Sequence, residues 1–387
     1  MRGRLKIAAA VVVLGLIGVS CGDDDNSSSG DTVAEATTAD DTTTADTTTA
    51  DTSADTAGDE MIGEGKKACQ VTDTGGVDDK GFNQTAYKGL LDAQEQLGSE
   101  PVVLESQAET DYAPNIQALL DQGCDVIVTV GFLLGDATME AANANPDAKF
   151  SIVDYAYGDN EDGTPQITNN NVLGQVFNTD EAAFLAGYLA AGMSASGKVG
   201  TFGGINIPPV TIFMTGFYNG VQKYNEDNGT SVEVLGWDPA KADGLFTGNF
   251  ESLDDGRTFA QNLYDEGADI VMPVAGPVGL GSAALASELG TDSLKIVGVD
   301  ADQYNLDSAN KGVYLTSVLK NMDVTTLAAV KAVFDGSFEG GVTVGTLAND
   351  GVGLAPYHDF ESEVPAELSA AIEALKAGII DGSVKVN

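Results

Sequence analysis

Residues 66–130 read KKACQVTDTGGVDDKGFNQTAYKGLLDAQEQLGSEPVVLESQAETDYAPNIQALLDQGCDVIVTV. Short apolar runs rich in β-branched residues alternate in this stretch with longer segments that carry apolar residues at helical spacing. The predicted strands are 68–72, 101–105 and 125–130, and the predicted helices lie near 83–97 and 112–122. Strands that are apolar throughout are typical of parallel sheets covered by helices on both faces. The stretch therefore predicts strand–helix–strand units in a buried parallel sheet.

The same alternation continues to residue 299. A helix near 134–143 and a strand at 150–154 complete the first series, and a long apolar helix near 181–193 opens a second one. Its predicted strands are 198–202, 231–235, 269–273 and 295–299, and its predicted helices lie near 210–225, 256–266 and 281–289. No Gly-x-Gly-x-x-Gly joins a first strand to a helix, so two doubly wound sheets favour a two-lobed binding protein over a dinucleotide-binding enzyme.

The first 65 residues are predicted to precede the folded domain. Residues 1–20 have the order of a secretory signal, with basic residues before an apolar stretch at 7–17 that is too short to span a bilayer. The sequence Gly-Val-Ser-Cys ending at Cys21 resembles a bacterial lipobox, in which the cysteine is lipidated. Ordinary signal-peptidase cleavage is the alternative. The rest of 21–65 is an acidic linker of Thr, Ala and Asp with too few large apolar side chains to fold.

The charge balance limits the partners of the chain. The formal net charge is −41, and 47 of the 59 acidic residues but only 15 basic residues follow residue 60. A phosphate backbone requires a basic surface, so nucleic acid is excluded as a partner. The acidic field also repels strongly anionic ligands and favours uncharged or cationic solutes.

Cysteine and histidine usage argues against catalysis. Besides Cys21, the chain has Cys69 and Cys124, each at the start of a predicted strand. A sheet order 2-1-3 would place these two strands side by side, so we expect a Cys69–Cys124 disulfide, with two buried thiols as the alternative. His358 is the only histidine, so neither a Ser-His-Asp triad nor a multi-histidine metal site can be assembled without improbable substitutions. We expect no catalytic residues, metal or cofactor, although a pair of carboxylates acting as in a glycosidase stays open.

The ends of the predicted strands are the places where a ligand is expected, because ligands of such sheets bind beyond the carboxyl ends of the strands. These ends carry acidic residues and glycines. They are Asp73, Gly131-Phe132, Asp154, Gly203-Gly204, Ala275-Gly276, and Asp300 with Asp302.

Several motifs resemble one known family. Residues 71–84 read VTDTGGVDDKGFNQ, and five further motifs follow in order: VGFL at 130–133, EAAFLAGY at 181–188, GFYNGV at 216–221, GVDADQ at 298–303 and LTSVLKN at 315–321. Over residues 66–355 the chain is similar to the basic membrane lipoproteins, which include purine nucleoside receptors of ABC importers. The resemblance implies an α/β fold of the class I periplasmic-binding-protein type, with two doubly wound lobes joined by a multi-strand hinge.

The resemblance also implies a ligand site. Phe82 and Phe250 would sandwich a purine, because flat aromatic faces recognise bases by stacking. Asp300 and Lys320 would bind the ribose hydroxyls and neutralise each other in the closed cleft. A structural salt bridge between the lobes is the alternative for this pair.

Other implied contacts have rival roles. Asp73 and Asp154 would accept from the base edge, but Asp73 could instead cap the helix that follows the glycine turn. Gly276 would let a backbone amide approach the ligand, or simply form a strand-to-helix turn. Thr74 and Asn83 are further candidate contacts. Tyr155 and Tyr157 either line the cleft or pack between the lobes, and Trp237 is expected at a packed strand end.

The resulting prediction is a lipid-anchored receptor on the extracytoplasmic face of the cell membrane. Lobe one is assigned to 66–175 plus 303–338, lobe two to 176–302 plus 339–356, and a C-terminal appendage to 357–387. The chain is expected to act as a monomer that captures a nucleoside, preferably a purine, and delivers it to ABC permease subunits. The alternatives are a receptor for riboflavin or a sugar, a sensor subunit of a membrane signalling system, and an enzyme acting on nucleosides.

Overall fold

A computed structural model describes residues 61–387 of the chain. The predicted signal segment, Cys21 and the linker as far as residue 60 lie outside the described residues. Between residues 61 and 387 no helix combines the length and the apolarity that crossing a membrane would need.

The described chain alternates strands and helices almost throughout. In chain order the strands are β1 (Lys67–Thr72), β2 (Glu100–Leu104), β3 (Val126–Val130), β4 (Phe150–Val153), β5 (Val172–Phe177), β6 (Lys198–Gly203), β7 (Glu233–Leu235), β8 (Trp237–Asp238), β9 (Asp243–Gly244), β10 (Ile270–Val274), β11 (Lys295–Asp300), β12 (Tyr314–Lys320), β13 (Gly341–Gly345) and β14 (Val352–Leu354). The helices are α1 (Phe82–Leu97), α2 (Tyr112–Asp121), α3 (Gly135–Ala144), α4 (Thr179–Met193), α5 (Pro208–Asn228), α6 (Leu253–Asp265), α7 (Val278–Leu289), α8 (Gln303–Leu306), α9 (Met322–Asp335) and α10 (Ala366–Ile380).

Two six-stranded sheets form the two lobes. The first has the order β13-β5-β4-β3-β1-β2 and is parallel throughout, and the second has the order β14-β12-β11-β10-β6-β7, in which only β14 is antiparallel to its neighbour. The central strands β3, β4 and β10 are buried along their whole length, as apolar runs covered by helices on both faces require. The prediction of an α/β protein with two doubly wound lobes is confirmed.

The chain passes between the sheets three times. The crossings are at Asn178, between β5 and α4, at Asn321, between β12 and α9, and at 346–351, between β13 and β14; together they form the hinge. The backbone N–H of Asn178 donates to the carbonyl oxygen of Gly345 over 2.8 Å, and that of Asn321 donates to Gly351 over 2.9 Å. The third crossing is thus hydrogen-bonded to Asn321 directly and to Asn178 through Gly345, the last residue of β13.

The two late segments are distributed differently from the sequence assignment. Within 303–338, which was assigned to lobe one, strand β12 pairs with β11 in the second sheet, and only α9 packs against α1 of the first lobe. Within 339–356, which was assigned to lobe two, β13 pairs with β5 in the first sheet and β14 joins the second. The assignment was wrong because each segment contains a hinge crossing.

Cys69 and Cys124 form a disulfide, with their Cα atoms 6.0 Å apart. Cys69 lies in β1, and Cys124 lies just before β3, the strand that pairs with β1. The observed β2-β1-β3 order brings the two residues together. In the C-terminal segment, α10 packs on α4 of the second lobe and reaches the hinge at 347–349.

Candidate functional site

The carboxyl ends of the strands of both sheets face one cavity, which we call the cleft. It encloses about 600 Å³, including the part that opens to solvent. All nine ligand contacts predicted from the sequence line it: Asp73, Thr74, Phe82, Asn83, Asp154, Phe250, Gly276, Asp300 and Lys320. Residues that are more than 200 positions apart in the chain therefore meet around one space.

Asp73 follows β1 and lies almost entirely out of solvent, with 8% of its surface exposed. Its backbone N–H donates to the carbonyl oxygen of Val130, and its Oδ1 accepts from Asn83 Nδ2 over 2.8 Å. Gly131 has φ +119°, and a Cβ there would lie 2.5 Å from Asp73 Oδ2, so only glycine fits beside this carboxylate. Burial raises the pKa of Asp73 well above its usual value.

The helix that follows the glycine turn is capped by Asp79, not by Asp73. The Asp79 carboxylate accepts from the backbone N–H groups of Gly81, Asn83 and Gln84 at 2.8–3.0 Å. This leaves Asp73 free of the alternative role that the sequence had allowed. Asn83 Nδ2 donates both to Asp73 and, over 3.3 Å, to the carbonyl oxygen of Thr74. Asn83 therefore fixes the carboxylate relative to the loop that follows β1.

Lys320, at the end of β12, forms an ion pair with Asp154, and both side chains are nearly inaccessible to solvent. Three aromatic rings surround its ammonium, with centroids 4.9 Å (Phe82), 5.3 Å (Phe177) and 5.9 Å (Phe213) from Nζ. The expectation that Lys320 and Asp300 neutralise each other is corrected, because the ammonium hydrogen-bonds to Asp154. Cation–π contacts and one carboxylate together replace the water around the buried cation.

Asp300 ends β11 with 8% of its surface exposed. Within residues 61–387 its carboxylate accepts no hydrogen bond, although Lys320 is close enough to lower its pKa. Burial dominates, and together with the neighbouring charges of Asp154 and Asp79 it raises that pKa from 3.8 to about 7. Asp154 and Asp300 both have φ +69°, a conformation that side chains other than glycine, asparagine and aspartate seldom adopt.

Phe250 lies in the loop before α6, in the second lobe. Asn249 organises this loop: its Oδ1 accepts from the N–H groups of Glu251 and Ser252, and its Nδ2 donates to Asp255 over 2.8 Å. Ser252 caps α6 by accepting from the Asp255 N–H over 3.1 Å. Phe82, at the first turn of α1, lines the same cleft from the other lobe, and no ring–ring contact joins the two phenylalanines among the described residues.

Three other aromatic side chains lie away from the cleft. Tyr155 packs between Phe132 and Tyr157 in tilted contacts, with centroids 5.1 and 4.8 Å away, and Tyr157 donates to the carbonyl oxygen of Gly135. Trp237 is buried and its indole N–H donates to Thr215. All three pack against other residues and do not line the cleft. These contacts of the two tyrosines lie within the first lobe and not between the lobes.

Part of the lining could not be predicted from the sequence. Apolar side chains from the first turns of α5 and its preceding loop close the second-lobe wall, and Asp79 adds a further carboxylate: Ile207, Pro209, Val210, Phe213 and Asp79. Phe213 has the spacing of an ordinary core residue of a helix, so no sequence signal separates it from the core. Gly276, in contrast, was predicted; its φ is +53°, and no atom lies within 4 Å of a Cβ built there.

Sequence comparisons with known proteins match the chain to one family. The sequence model of the family described as ABC transporter substrate-binding protein PnrA-like matches residues 66–379. Basic membrane protein A1 of Borrelia garinii subsp. bavariensis is 31% identical over 318 residues, covering 81% of this chain and 86% of that protein. The ABC transporter nucleoside-binding protein BmpA of Lactococcus lactis subsp. cremoris is 31% identical over 336 residues, covering 83% and 88%.

Solved structures agree on the architecture. An ABC transporter solute-binding protein from Aeropyrum pernix K1 superposes with a TM-score of 0.73 at 27% identity, covering 83% of this chain and 92% of that one. A solute-binding protein from Conexibacter woesei superposes with a TM-score of 0.61 at 21% identity, covering 83% and 98%. Both have the two-lobed fold described above.

Proposed function

The chain belongs to the PnrA-like family of ABC transporter substrate-binding proteins, and on that premise we propose that the solute it binds is a purine nucleoside. The observation that carries the proposal is the composition of the cleft. Two phenylalanine rings, one from each lobe, line the same cavity as one lysine and four aspartates, all nearly inaccessible to solvent. Flat apolar faces suit a base, and an excess of acceptors suits a ligand rich in N–H and O–H donors.

The base would lie between Phe82 and Phe250. Stacking on an aromatic side chain contributes about 1–3 kcal/mol per base and tolerates different bases. Asp73 would accept from a ring N–H or an exocyclic amine, with Asn83 holding its carboxylate in place. Thr74, Asp154 and Gly276 would complete the contacts around the base.

The ribose would lie near Asp300 and Lys320. Asp300 is the buried carboxylate without a hydrogen-bond donor from residues 61–387, so vicinal hydroxyls would supply the donors that it lacks. Lys320 stays paired with Asp154 and would donate a further hydrogen bond to a hydroxyl oxygen. Because the cleft already holds more carboxylates than ammonium groups, a phosphorylated ligand would be repelled.

The receptor would capture and release this ligand without covalent chemistry. We propose that Cys21 anchors the chain by lipid to the extracytoplasmic face of the cell membrane and that the chain acts as a monomer. Closure of the lobes around the ligand would create the surface that ABC permease subunits recognise.

Isothermal titration of the full chain tests the ligand. Guanosine should bind saturably at micromolar or tighter affinity, while ribose, riboflavin and guanosine monophosphate should give no saturable heat. Chromatography of the recovered guanosine should show it unchanged, which separates a receptor from an enzyme. Saturable binding of riboflavin or ribose in place of guanosine would discard the nucleoside proposal while leaving the fold and the family intact.

A matched pair of variants locates the site. Phe250→Ala should weaken guanosine binding by roughly 5- to 150-fold, the range for the loss of one stacking contact. Phe259→Ala removes a half-buried ring of the same lobe that packs on Phe202, 5.4 Å away, and does not line the cleft. It should lower thermal stability and leave guanosine affinity unchanged. Equal losses of affinity in both variants would mean that Phe250 acts through the fold.

A further inference from the structure

The two lobes touch at a point outside the cleft. Lys80, in the first-lobe loop before α1, contacts Gln303, the first residue of α8 in the second lobe, and Asp307, which follows that helix. Gln303 Nε2 donates to the carbonyl oxygen of Lys80 over 2.8 Å, and Lys80 Nζ lies 3.6 Å from Asp307 Oδ1. We call these three residues the clasp. None of them lines the ligand cleft.

Asp307 is fixed within the second lobe by hydrogen bonds. Its side chain is only 2% exposed and accepts hydrogen bonds from Asn310 Nδ2, at 2.8 Å, and from the Tyr314 hydroxyl, at 3.1 Å. Within residues 61–387 the ammonium of Lys80 is the only cation paired with it. Separation of the lobes would therefore leave a buried carboxylate with two neutral donors and no counter-ion, which is unfavourable.

Gln303 is fixed just as firmly. Its backbone N–H donates to Ser317 Oγ, and its Nε2 also donates to the carbonyl oxygen of Val299 in its own lobe. Gly298 makes room for it, because a Cβ at residue 298 would lie 2.6 Å from Gln303 Cγ. The partner on the other lobe, Lys80, has φ +57°, an uncommon conformation for lysine.

We propose that the clasp sets the population of the closed form in the absence of ligand, and through it the affinity for ligand. A receptor whose binding-competent form is only partly populated loses affinity in proportion to that fraction. The clasp would thus tune affinity without touching the ligand. The proposal depends on the two-lobed solute-binding role and not on which solute is bound.

Single-molecule energy transfer on the ligand-free full chain tests this directly. Fluorophores would be attached through ketone-bearing residues introduced at Glu95 in lobe one and Gln222 in lobe two, both exposed, which leaves the cysteines untouched. Lys80→Met and Gln303→Met should each lower the ratio of closed to open molecules by roughly two- to tenfold, the range for one partly exposed ion pair or one hydrogen bond. Raising the salt concentration should open the parent chain more than Lys80→Met, because only the parent keeps the ion pair.

Lys88→Met is the matched control, since the ammonium of Lys88 pairs with Asp92 and Asp323 within lobe one. It should leave the ratio unchanged. Lys80 has a side chain that is 43% exposed, so its variant should keep the parent melting temperature, which a thermal scan checks. Unchanged ratios in both clasp variants, or a parent chain without any closed population, would overturn the proposal. Neither result would bear on the nucleoside.

Discussion

Asp300 is in an unfavourable position for an ionised carboxylate in the ligand-free chain. It is buried near Asp154 and Asp79, its pKa is raised to about 7, and its side chain accepts no hydrogen bond from residues 61–387. A site that must accept hydrogen bonds from a ligand has to leave its acceptors unpaired before the ligand arrives. We interpret the raised pKa as the stability cost of a prepared binding site.

Replacement of Asp300 by Asn should therefore stabilise the ligand-free protein. The folded pKa lies above the ordinary value of 3.8, so the native state binds the extra proton and the free energy of unfolding of the parent falls as pH rises from about 4 to 7. The variant should be more stable by about 1–4 kcal/mol at pH 8, with the difference shrinking towards pH 4. Asparagine also tolerates the positive φ.

Urea denaturation of both proteins between pH 4 and 8 measures this difference, and titration with guanosine should show at least a tenfold loss of affinity in the variant. A stability difference that does not change with pH would show that Asp300 carries no shifted proton in the folded chain.

The Lys320–Asp154 pair leads to a different expectation, because it is buried and already satisfied. Lys320→Met should lower the free energy of unfolding by about 3–5 kcal/mol, since it leaves the Asp154 carboxylate without its cation. Adding Asp154→Asn should recover most of that loss, because the buried charge is then removed as well. Denaturation of the two single variants and the double variant gives the coupling. Additive losses would contradict a direct pair.

At the scale of elements, the disulfide links the start of β1 to the approach to β3, across 55 positions of the chain. Replacing Cys69 and Cys124 together by Ala should cost ~3–4 kcal/mol of folding free energy, mainly by freeing the unfolded chain. The closed loop contains α1, β2 and α2, so the loss should appear in the cooperative unfolding of the whole chain. Denaturation of both proteins with and without reductant measures this loss. The prediction is contradicted if the parent chain has the same free energy of unfolding as the variant and reductant does not change it.

The central strands and the long helices could be predicted from the sequence because their apolar pattern is local. The late strands could not be assigned to their sheets in the same way. β12 and β13 lie about twenty residues apart in the chain and belong to different sheets, and the hinge crossing at Asn321 between them has no apolar pattern. β13 is an edge strand with Val342 and Val344 exposed, so it lacks the buried run that identifies a central strand.

Some features of the candidate site could likewise be predicted from the sequence and others could not. Acidic residues at strand ends could be predicted to converge, because parallel strands end at one edge of a sheet. Two choices depend on distances of a few ångströms between loops. One is whether Asp154 or Asp300 pairs with Lys320, and the other is whether Asp73 or Asp79 caps the helix. No residue pattern contains those distances, and both choices required the structure.

At the scale of the whole molecule, three features of the fold bear on the position of the lobes. The hinge joins them, the clasp holds them together at one point, and the cleft between them is lined by both. A ligand that contacts Phe82 in one lobe and Phe250 in the other can bind fully only when the lobes are close, so binding and closure are coupled. The residues of the cleft are thereby linked to the motion that a transporter would sense.

A crystal structure of the chain with guanosine bound would show whether the two phenylalanines hold the base. We expect the purine between the rings of Phe82 and Phe250, the ribose hydroxyls within hydrogen-bond distance of Asp300 and Lys320, and the clasp closed. A nucleoside bound elsewhere on the protein, or held in the cleft with its base away from both rings, would contradict the proposed binding site.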